Sequence, residues 1–265
     1  RKQIPIILIS SIFRPEQIYF KWYGDFNRKI LGFVSHFFVQ NEESRILLHK
    51  INITNVTVSG DTRFDRVAAN AKSPKQLSII QRFSGNDRIF IAGSTWPADE
   101  QLISELAKSN PHWKFIIAPH EIDQNHISNI QVLFPDALKY SDTNIITNAQ
   151  VLIIDNIGLL SSIYQYGDIA YIGGGFGVGI HNTLEAAAFG IPVIFGPKYH
   201  RFQEAKDLIG LGAAQSISNV EELETAFISL TATSKPGDIA GRYVDEHKGS
   251  TEEIFKYLSS SLNKQ

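Results

Sequence analysis

Short apolar segments alternate with amphipathic segments along most of the chain, and this alternation restricts the fold more than any other feature. The apolar segments are almost wholly hydrophobic, as is typical of strands that are buried on both faces. The segments between them space their apolar residues as helices do. We therefore predict an α/β fold in which helices cover both faces of a parallel sheet. The predicted strands are residues 4–9, 37–40, 56–59, 88–92, 114–118, 151–155, 169–172 and 192–195.

The composition is that of an ordinary globular protein with more than one compact unit. The chain has 265 residues, of which 43% are hydrophobic and 20% charged, and this length favours two units. The net charge of -2 predicts no general attraction to nucleic acid, so any anion site should be local. There is no cysteine, which excludes disulfides, thiolate zinc sites and cysteine nucleophiles. No apolar run approaches the roughly 20 residues of a membrane-spanning helix.

A change of composition near residue 68 marks the predicted domain boundary. The motif GDTRFD at 60–65 leads into a small, polar stretch at 68–75, and a second series of strands begins at Arg88. We expect one unit at 1–68 and another at 69–265. The first unit would have only three strands, which is small for an independent α/β domain, so it is predicted to be the remnant of an N-terminal domain.

Two further helices are predicted at the C-terminal end, at 236–247 and 251–262. Ser250 and Glu253 have the spacing of a capping box for the second of these helices. The sequence leaves open whether the pair packs back on the first unit or only covers the second.

A glycine-rich stretch between Tyr171 and Pro197 is the strongest indication of a ligand site. Its glycines permit positive φ values and let a ligand approach the main chain closely. His181 and Asn182 then begin a predicted helix, whose N-terminus would offer N–H groups and a positive dipole to a phosphate. Asn182 and Glu185 share one face of its first turn, where the carboxylate can accept hydrogen bonds from a ribose diol. The glycines are Gly173, Gly174, Gly175, Gly177 and Gly179.

Three more loops follow predicted strands of the second unit and should face the same crevice. Ser94 and Thr95 are suited to phosphate oxygens, although a helix cap followed by Pro97 explains them equally well. His120 can donate to a ligand phosphate or carboxylate, or lie on the surface without a ligand. The loop 155–158 can contact a base edge, and its Asn156 is also favoured as a helix N-cap.

A fourth segment, after the strand at 192–195, carries the cations Lys198, His200 and Arg201. These side chains would lie near an anionic ligand, or they form an ordinary solvated face. Several other site types are not expected. The chain lacks a Walker motif and a Gly-x-Ser-x-Gly elbow, its glycine loop is too late in the chain for a dehydrogenase, and its eight histidines are not spaced as metal ligands.

Five motifs together closely resemble the 3-deoxy-D-manno-octulosonic acid (Kdo) transferases of lipopolysaccharide synthesis, in order and spacing over essentially the whole chain. The segment ISSIFRPEQIYFKWYG at 9–24 is similar to the version found in Bacteroidetes-type bacteria. The motifs are GDTRFDRV at 60–67, GSTWPADE at 93–100, APHE at 118–121, DNIGLL at 155–160 and GGGFGVGIHNTLEAAAFGIPVIFGP at 173–197.

The resemblance implies a GT-B fold of two Rossmann-like domains, the C-terminal one binding the donor CMP-Kdo. It implies that Glu185 contacts the ribose, that Ser94 and Thr95 lie by the phosphate, and that Ile157 and Gly158 lie by the base. No metal and no other cofactor are expected, and CMP is the expected product. The full set of donor-binding residues expected is Ser94, Thr95, His120, Ile157, Gly158, Gly174, Gly175, Phe176, Gly177, His181, Asn182, Glu185 and Lys198.

The resemblance also implies features outside this chain. The acceptor is a lipid A precursor at the cytoplasmic face of the inner membrane, and the full-length protein is expected to attach there through its N-terminal part, with the present chain soluble. The catalytic base of the family is a glutamate that precedes the first residue here. No catalytic residue is therefore assigned in this chain, and the chain alone is expected to be inactive.

Two points remain open. The family commonly has an arginine where Pro119 stands, and His120, or Lys198 with Arg201, would have to replace it, or else donor affinity is lower. The alternatives to a transferase are an isomerase of the UDP-sugar 2-epimerase kind, with a similar two-domain fold, and a non-catalytic nucleotide-binding module.

Overall fold

The structure is a computed structural model that describes residues 4–142 and 148–262, without the side chains of residues 261 and 262. It contains two compact units. The first combines the chain up to Arg66 with the C-terminal segment from Glu246, and the second is Val67–Asp245. The prediction divides the chain after residue 68, whereas the structure groups the last helix with the first unit.

The first unit is a three-stranded parallel sheet of order β1-β2-β3. Its core is formed by side chains such as Phe13, Phe37 and Leu48. The second helix begins at Glu42 because the side chain of Asn41 accepts a hydrogen bond from the Ser44 N–H at 2.9 Å, as an N-cap does. The elements are β1 (Ile6–Ser11), a 3-10 helix (Ile18–Phe20), α1 (Asp25–Leu31), β2 (Val34–Val39), α2 (Glu42–His49), β3 (Val56–Val58) and α3 (Thr62–Lys72), which runs on into the second unit.

The last helix, α12 (Ser250–Leu262), begins one residue earlier than predicted, and the expected capping box is wrong. The Oγ atom of Ser250 is buried and, within the described part of the chain, has no hydrogen-bond partner. The carboxylate of Asp65 instead accepts hydrogen bonds from the Gly249 N–H at 2.7 Å and from the N–H and hydroxyl of Thr251 at 2.9 and 3.0 Å. A side chain distant in sequence therefore accepts the hydrogen bonds of the free N–H groups at the helix N-terminus. Local sequence spacing cannot reveal such a contact.

The second unit is a seven-stranded, wholly parallel sheet of order β10-β9-β8-β4-β5-β7-β6. Fully buried Phe90, Phe115 and Tyr171 fill its centre, together with residues such as Leu106 and Leu223 of the covering helices. The strands are β4 (Ile89–Thr95), β5 (Lys114–Pro119), β6 (Leu138–Lys139), β7 (Val151–Ile153), β8 (Ile169–Ile172), β9 (Val193–Phe195) and β10 (Ala214–Ser216).

Helices cover this sheet, and a 3-10 helix (Tyr164–Tyr166) precedes β8. Among the described residues, no helix is both long and apolar enough to cross a membrane. The predicted α/β class is confirmed, and all eight predicted strands are present within a few residues of their expected bounds. The helices are α4 (Ser78–Ser84), α5 (Pro97–Ser109), α6 (Gln124–Leu133), α7 (Leu160–Ile163), α8 (Leu184–Ala187), α9 (Gln203–Leu211), α10 (Val220–Thr231) and α11 (Lys235–Glu246).

We predict that Asp65→Ala lowers the free energy of unfolding by about 1–2 kcal/mol, the usual cost of losing a helix cap. Asp65→Asn should lose less, because the amide oxygen still accepts a hydrogen bond. Glu253→Ala, which removes the other member of the predicted capping box, is the matched control and should have a smaller effect than Asp65→Ala. Urea denaturation followed by circular dichroism measures all three, and a larger loss for Glu253→Ala would contradict the assignment of the cap.

Candidate functional site

The strand order of the larger sheet reverses beside β4, because the chain runs from β4 to β5 on one side and returns through β8 on the other. The loops after β4 and β8 therefore diverge at their carboxyl ends. Open parallel sheets bind ligands at such a switch point. The motif that contains Ser94 and Thr95 and the glycine-rich turn at 173–179 meet here, although they are far apart in sequence.

The glycine-rich turn packs its main chain against the neighbouring strands. A Cβ atom on Gly173 would lie 2.2 Å from the carbonyl oxygen of Ser94, and one on Gly175 would lie 2.5 Å from the Cα of Gly196. Gly174 has a φ of 91°, a value that favours glycine. These glycines are therefore required by the packing of the turn itself, whether or not a ligand is bound.

Several main-chain N–H groups of the turn donate hydrogen bonds within the protein. The N–H of Gly174 donates to the Asp99 carboxylate at 3.0 Å, so this N–H is not directed at a ligand. The other internal donors are Gly173 to Gly93 at 2.9 Å, and Gly177 and Gly179 to Gly174 at 2.9 and 3.2 Å. In the described parts of the chain, the N–H groups without an acceptor in this turn are those of Gly175, Phe176 and Val178.

The helix predicted after His181 is shorter than expected. Helix α8 comprises only Leu184–Ala187 and ends in a turn that contains Gly190, whose φ is 69°. The main chain of Gly190 packs against Gly237 of α11, where a Cβ atom would lie 2.3 Å from the Gly190 carbonyl oxygen. Because the macrodipole sums over successive peptide units, one turn supplies little of it. The contribution of a helix dipole to the predicted phosphate site is therefore small.

Asn182 and Glu185 are in contact at the start of this helix. The Asn182 side chain accepts a hydrogen bond from the Leu184 N–H and donates one to Glu185 Oε1, both at 3.2 Å. Glu185 is half-buried, and its charge adds to the burial that raises the pKa of the Tyr164 hydroxyl. The carboxylate is thus held in one orientation while part of it remains open to solvent.

The two hydroxyl residues after β4 differ in their surroundings. Ser94 is partly exposed and has a φ of 55°, a strained value for a residue other than glycine. Thr95 is fully buried, and its hydroxyl donates to Glu100 Oε1 at 2.8 Å. Glu100 is paired with His126, whose Nε2 lies 2.9 Å from the same oxygen, and burial raises the pKa of Glu100. The expectation that the Thr95 hydroxyl faces a phosphate is therefore wrong.

Helix α5 begins directly after this loop, with Pro97 as its first residue. Its N-cap residue is Trp96, whose N–H donates to Asp99 Oδ2 at 2.9 Å. Neither Ser94 nor Thr95 is the N-cap. The side chain of Asp99, three residues further on, thus supplies the capping oxygen.

Three aromatic rings form a stack across the switch point. The ring of His120 lies 4.9 Å from that of Trp96 and 4.4 Å from that of His181. The Trp96 indole N–H donates to His181 Nε2 at 3.3 Å. This bond requires an unprotonated Nε2 and so places the proton of a neutral His181 on Nδ1. The stack joins the second loop of the site to the glycine-rich turn.

The pKa of His181 is lowered from its usual value of 6.5, mainly by burial and then by the neighbouring His120, while the Asp99 charge opposes the change. His181 is therefore neutral near pH 7. Because the unfolded chain takes up a proton at a higher pH than the folded one, this group destabilises the folded protein as the pH falls below 6.5.

A cavity of about 150 Å³ lies beside the stack, at the carboxyl ends of β4, β5 and β7. It brings together Ser94, His120, Ile157 and Gly158, four of the residues predicted to bind the donor. Ile157 is 86% exposed at its rim. Helix α7 begins only at Leu160, so the N-cap role favoured for Asn156 is wrong.

A larger hollow of about 570 Å³ lies on the other side of the glycine-rich turn. Lys198, His200 and Arg201 line it together with Gly177 and other residues. The Lys198 ammonium donates to the Gly177 carbonyl at 2.6 Å, so this cation is held against the turn. Phe176 is partly buried against the core, with its ring over Gly196.

Sequence reasoning did not select two residues that organise this site, Trp96 and Asp99. Both lie inside the motif GSTWPADE and bind each other, but their other partners are distant in sequence. An aspartate at the third position of a helix that starts with proline is a recognisable capping signal. Nothing in the sequence indicates the contact of Trp96 with His181. Among the described residues, no group of three His, Cys, Asp or Glu side chains could hold a metal ion.

The fold and the loops thus define a Rossmann-like α/β protein with a ligand-sized crevice at the switch point of its larger sheet. Comparison with known proteins shows what the chain is similar to. Residues 1–66 match the family model described as 3-deoxy-D-manno-octulosonic-acid transferase (kdotransferase). The 3-deoxy-D-manno-octulosonic acid transferase of Aquifex aeolicus (strain VF5) is 31% identical over 154 residues, which is 55% of this chain and 42% of that protein.

Two solved structures have similar folds. The C-terminal CMP-Kdo binding domain of WaaA from Acinetobacter baumannii has a TM-score of 0.54 at 20% identity, over 70% of this chain and 97% of that one. A putative UDP-N-acetylglucosamine 2-epimerase from Listeria monocytogenes has a TM-score of 0.69 at 13% identity, over 99% of this chain and 69% of that one. These identities are low, so they establish the fold and not the ligand.

The chain is therefore related to the Kdo transferases, and the resemblance drawn from its motifs is confirmed. It spans about half the length of the curated relatives it matches.

We predict that the pKa of His181 lies below 6.5 and rises towards that value in Trp96→Phe, because the indole N–H that favours an unprotonated Nε2 is lost. Two-dimensional NMR titration of the imidazole nitrogens measures it. His120→Ala should also raise the pKa, since it removes a neighbour that disfavours the charged form. A pKa of His181 that is unchanged in both variants would contradict the described stack.

Proposed function

We propose that this chain contains the donor-binding unit of a Kdo transferase, a glycosyltransferase of lipopolysaccharide synthesis that moves Kdo from CMP-Kdo to a lipid A precursor. The family match of residues 1–66, the relative from Aquifex aeolicus and the likeness to a CMP-Kdo binding domain all support this proposal. The observation that carries it is the meeting of Ser94, His120, Ile157 and Gly158 around one cavity beside His181.

In this proposal the cytosine enters that cavity. A volume of about 150 Å³ suits a single-ring base better than a purine. The exposed loop of Ile157 and Gly158 would contact its edge, and the ribose would reach the half-buried carboxylate of Glu185. The phosphate would then lie between His181 and the glycine-rich turn.

Charge at the phosphate would come from individual groups. The Lys198 ammonium lies against the turn and is exposed, and the Nδ1–H of neutral His181 is a second donor. These groups would also stabilise the phosphate of CMP as it leaves. They fill the place of the arginine that the family commonly has at Pro119, and we propose that transfer needs no metal.

The transfer step itself would be inverting, without a covalent intermediate. A carboxylate removes the proton from the acceptor hydroxyl, the hydroxyl oxygen attacks the anomeric carbon of Kdo, and the bond to the CMP phosphate breaks. By the family resemblance this base is a glutamate that no residue of the present chain supplies. Acceptor binding would likewise depend on the N-terminal part of the full-length protein. So would attachment to the cytoplasmic face of the inner membrane.

A second candidate function is isomerisation of a UDP-sugar. The observation that favours it is the TM-score of 0.69 to the putative UDP-N-acetylglucosamine 2-epimerase. This activity would need acids and bases inside the crevice and no acceptor. A non-catalytic nucleotide-binding module is the third candidate. Such a module would bind a nucleotide but would not turn over any substrate.

Isothermal titration calorimetry decides between the donors. We expect CMP to bind at least about tenfold more tightly than UDP, a difference of about 1.4 kcal/mol. Lys198→Ala should weaken CMP binding by roughly the same factor and reduce its salt dependence. Lys108→Ala, an exposed lysine on α5 paired with Glu105, is the matched control and should bind as the parent does. Preference for UDP, or no binding of either nucleotide, would overturn the donor assignment.

For activity, we expect no Kdo transfer by the isolated chain with CMP-Kdo and a lipid A precursor, because the family resemblance assigns the general base to a glutamate outside the residues present. Mass spectrometry of the lipid product measures transfer, and a full-length relative is the positive control. Transfer by the isolated chain would refute the claim about the base, and turnover of a UDP-sugar without acceptor would favour the isomerase.

A further inference from the structure

The carboxylate of Asp99 is fully buried at the switch point. Three donors converge on it. The N–H groups of Trp96 and Gly174 donate to Oδ2 at 2.9 and 3.0 Å, and the Tyr171 hydroxyl donates to Oδ1 at 2.7 Å. Among the described residues no cation forms an ion pair with it. A buried charge without a counter-ion is costly unless hydrogen bonds compensate it, so this arrangement needs an explanation.

The three donors belong to different parts of the site. Trp96 caps helix α5 after β4, Tyr171 is inside β8, and Gly174 is in the glycine-rich turn after β8. One carboxylate therefore connects both loops that form the two sides of the switch point. Close main-chain packing and the contact of Trp96 with His181 also link these loops.

The contact at Gly174 controls the shape of the turn. Its carbonyl accepts the N–H groups of Gly177 and Gly179, while its own N–H is held by Asp99. A Cβ atom on Gly174 would lie 3.0 Å from the His181 ring. The two peptide groups that flank Gly174 therefore fix both the turn and the space beside His181.

The contact at Trp96 has a matching effect on the opposite side. Because its N–H is held by Asp99, the indole ring is placed over His120, and its Nε1–H reaches His181. Loss of the Asp99 carboxylate would therefore release both the Trp96 main chain and, on the other side, the Gly174 turn that lies beside His181.

We propose that Asp99 is a positioning residue that clamps the Trp96 turn and the Gly174 turn into a single ligand-binding surface. This proposal rests on the proposed function, in which that surface binds the nucleotide of the donor. Asp99 itself does not touch the ligand, because its carboxylate is buried and its oxygens are occupied.

The charge of Asp99 supports a positional role. A negative charge beside a phosphate site disfavours binding of the phosphate, so Asp99 does not serve as an electrostatic ligand. The titratable groups that face it are Tyr171, which burial keeps protonated, and His181, whose pKa the carboxylate raises. Its neighbour Glu100 makes its hydrogen bonds with Thr95 and His126, and burial together with the nearby Asp99 charge raises the pKa of Glu100.

Three substitutions separate geometry from charge. In Asp99→Asn the amide oxygen can still accept both N–H groups, and the amide nitrogen can donate to a reoriented Tyr171 hydroxyl. Asp99→Ala removes all three contacts. Tyr171→Phe leaves both loops attached to the carboxylate. Leu223→Ala, in the core of the same unit away from the loops, is a control for stability loss alone.

With CMP as the probe in calorimetry, Asp99→Asn and Tyr171→Phe should bind within about threefold of the parent, and Asp99→Ala should lose roughly tenfold or more. Leu223→Ala should lower the melting temperature but keep the affinity. Parent-like affinity in Asp99→Ala, or a loss in Asp99→Asn equal to that in Asp99→Ala, would overturn the proposal.

Two readouts do not depend on nucleotide binding and keep this proposal separate from the proposed function. Asp99→Ala should accelerate amide hydrogen exchange at Trp96 and Gly174, while Asp99→Asn should leave both protected. Asp99→Asn should also lower the pKa of His181, a change that a merely structural role would not produce. If the parent bound no nucleotide, the proposed function would fail, and unchanged exchange in Asp99→Ala would still refute the clamp.

Discussion

Close approach of main chains at the carboxyl ends of β4, β8 and β9 is the constraint on which the rest of the site depends. Gly173 leaves no space for a side chain next to Ser94, and Gly175 leaves none next to Gly196. The same closeness lets Gly173 and Gly93 share a hydrogen bond at 2.9 Å. Because three strands meet without intervening side chains, the loops that follow them begin close together. The crevice is formed by how these loops then diverge.

The polar groups that this packing buries are satisfied within the protein. Asp99 takes up donors from three elements, and the Glu100 and His126 pair accepts the Thr95 hydroxyl. Buried polar networks of this kind specify one arrangement strongly, because each group that loses its partner costs free energy. The site is therefore rigid at its base, and the exposed side chains, such as Ile157 and Lys198, lie around its rim.

Much of the fold followed from the sequence, because buried parallel strands are recognisable as short apolar runs. The sequence predicts the strand at 169–172 with its observed bounds, but it does not predict β6 or β10. These two are short strands of the sheet edge, and their sequences, Leu-Lys and Ala-Gln-Ser, contain no apolar run. Hydrophobic periodicity reports burial, so it fails where a strand is only half covered.

The site was predictable in its loops but not in its contacts. Glycine turns and strand ends located the residues, and the topology brought four of them around one cavity. The Thr95 hydroxyl donates to Glu100, five residues further on, whose carboxylate is in turn bound by the distant His126. The cap supplied by Asp65 and the contact between Trp96 and His181 depend on partners far away in the chain. The last pair is separated by 85 positions. Local spacing carries no information about such pairs, because only the assembled sheet brings them together.

The short helix α8 changes the physical account of the anion binding that we propose for this site. A long helix would attract a phosphate by its dipole, independently of any one side chain. Helix α8 has only one turn, and several N–H groups of the preceding loop already donate to protein oxygens. Burial keeps His181 neutral, so it contributes a directed hydrogen bond and not a charge. The long-range attraction for an anion must then come from exposed cations such as Lys198, which dissolved salt screens. Affinity at this crevice should consequently depend on a few individual donors, each of which substitution can remove.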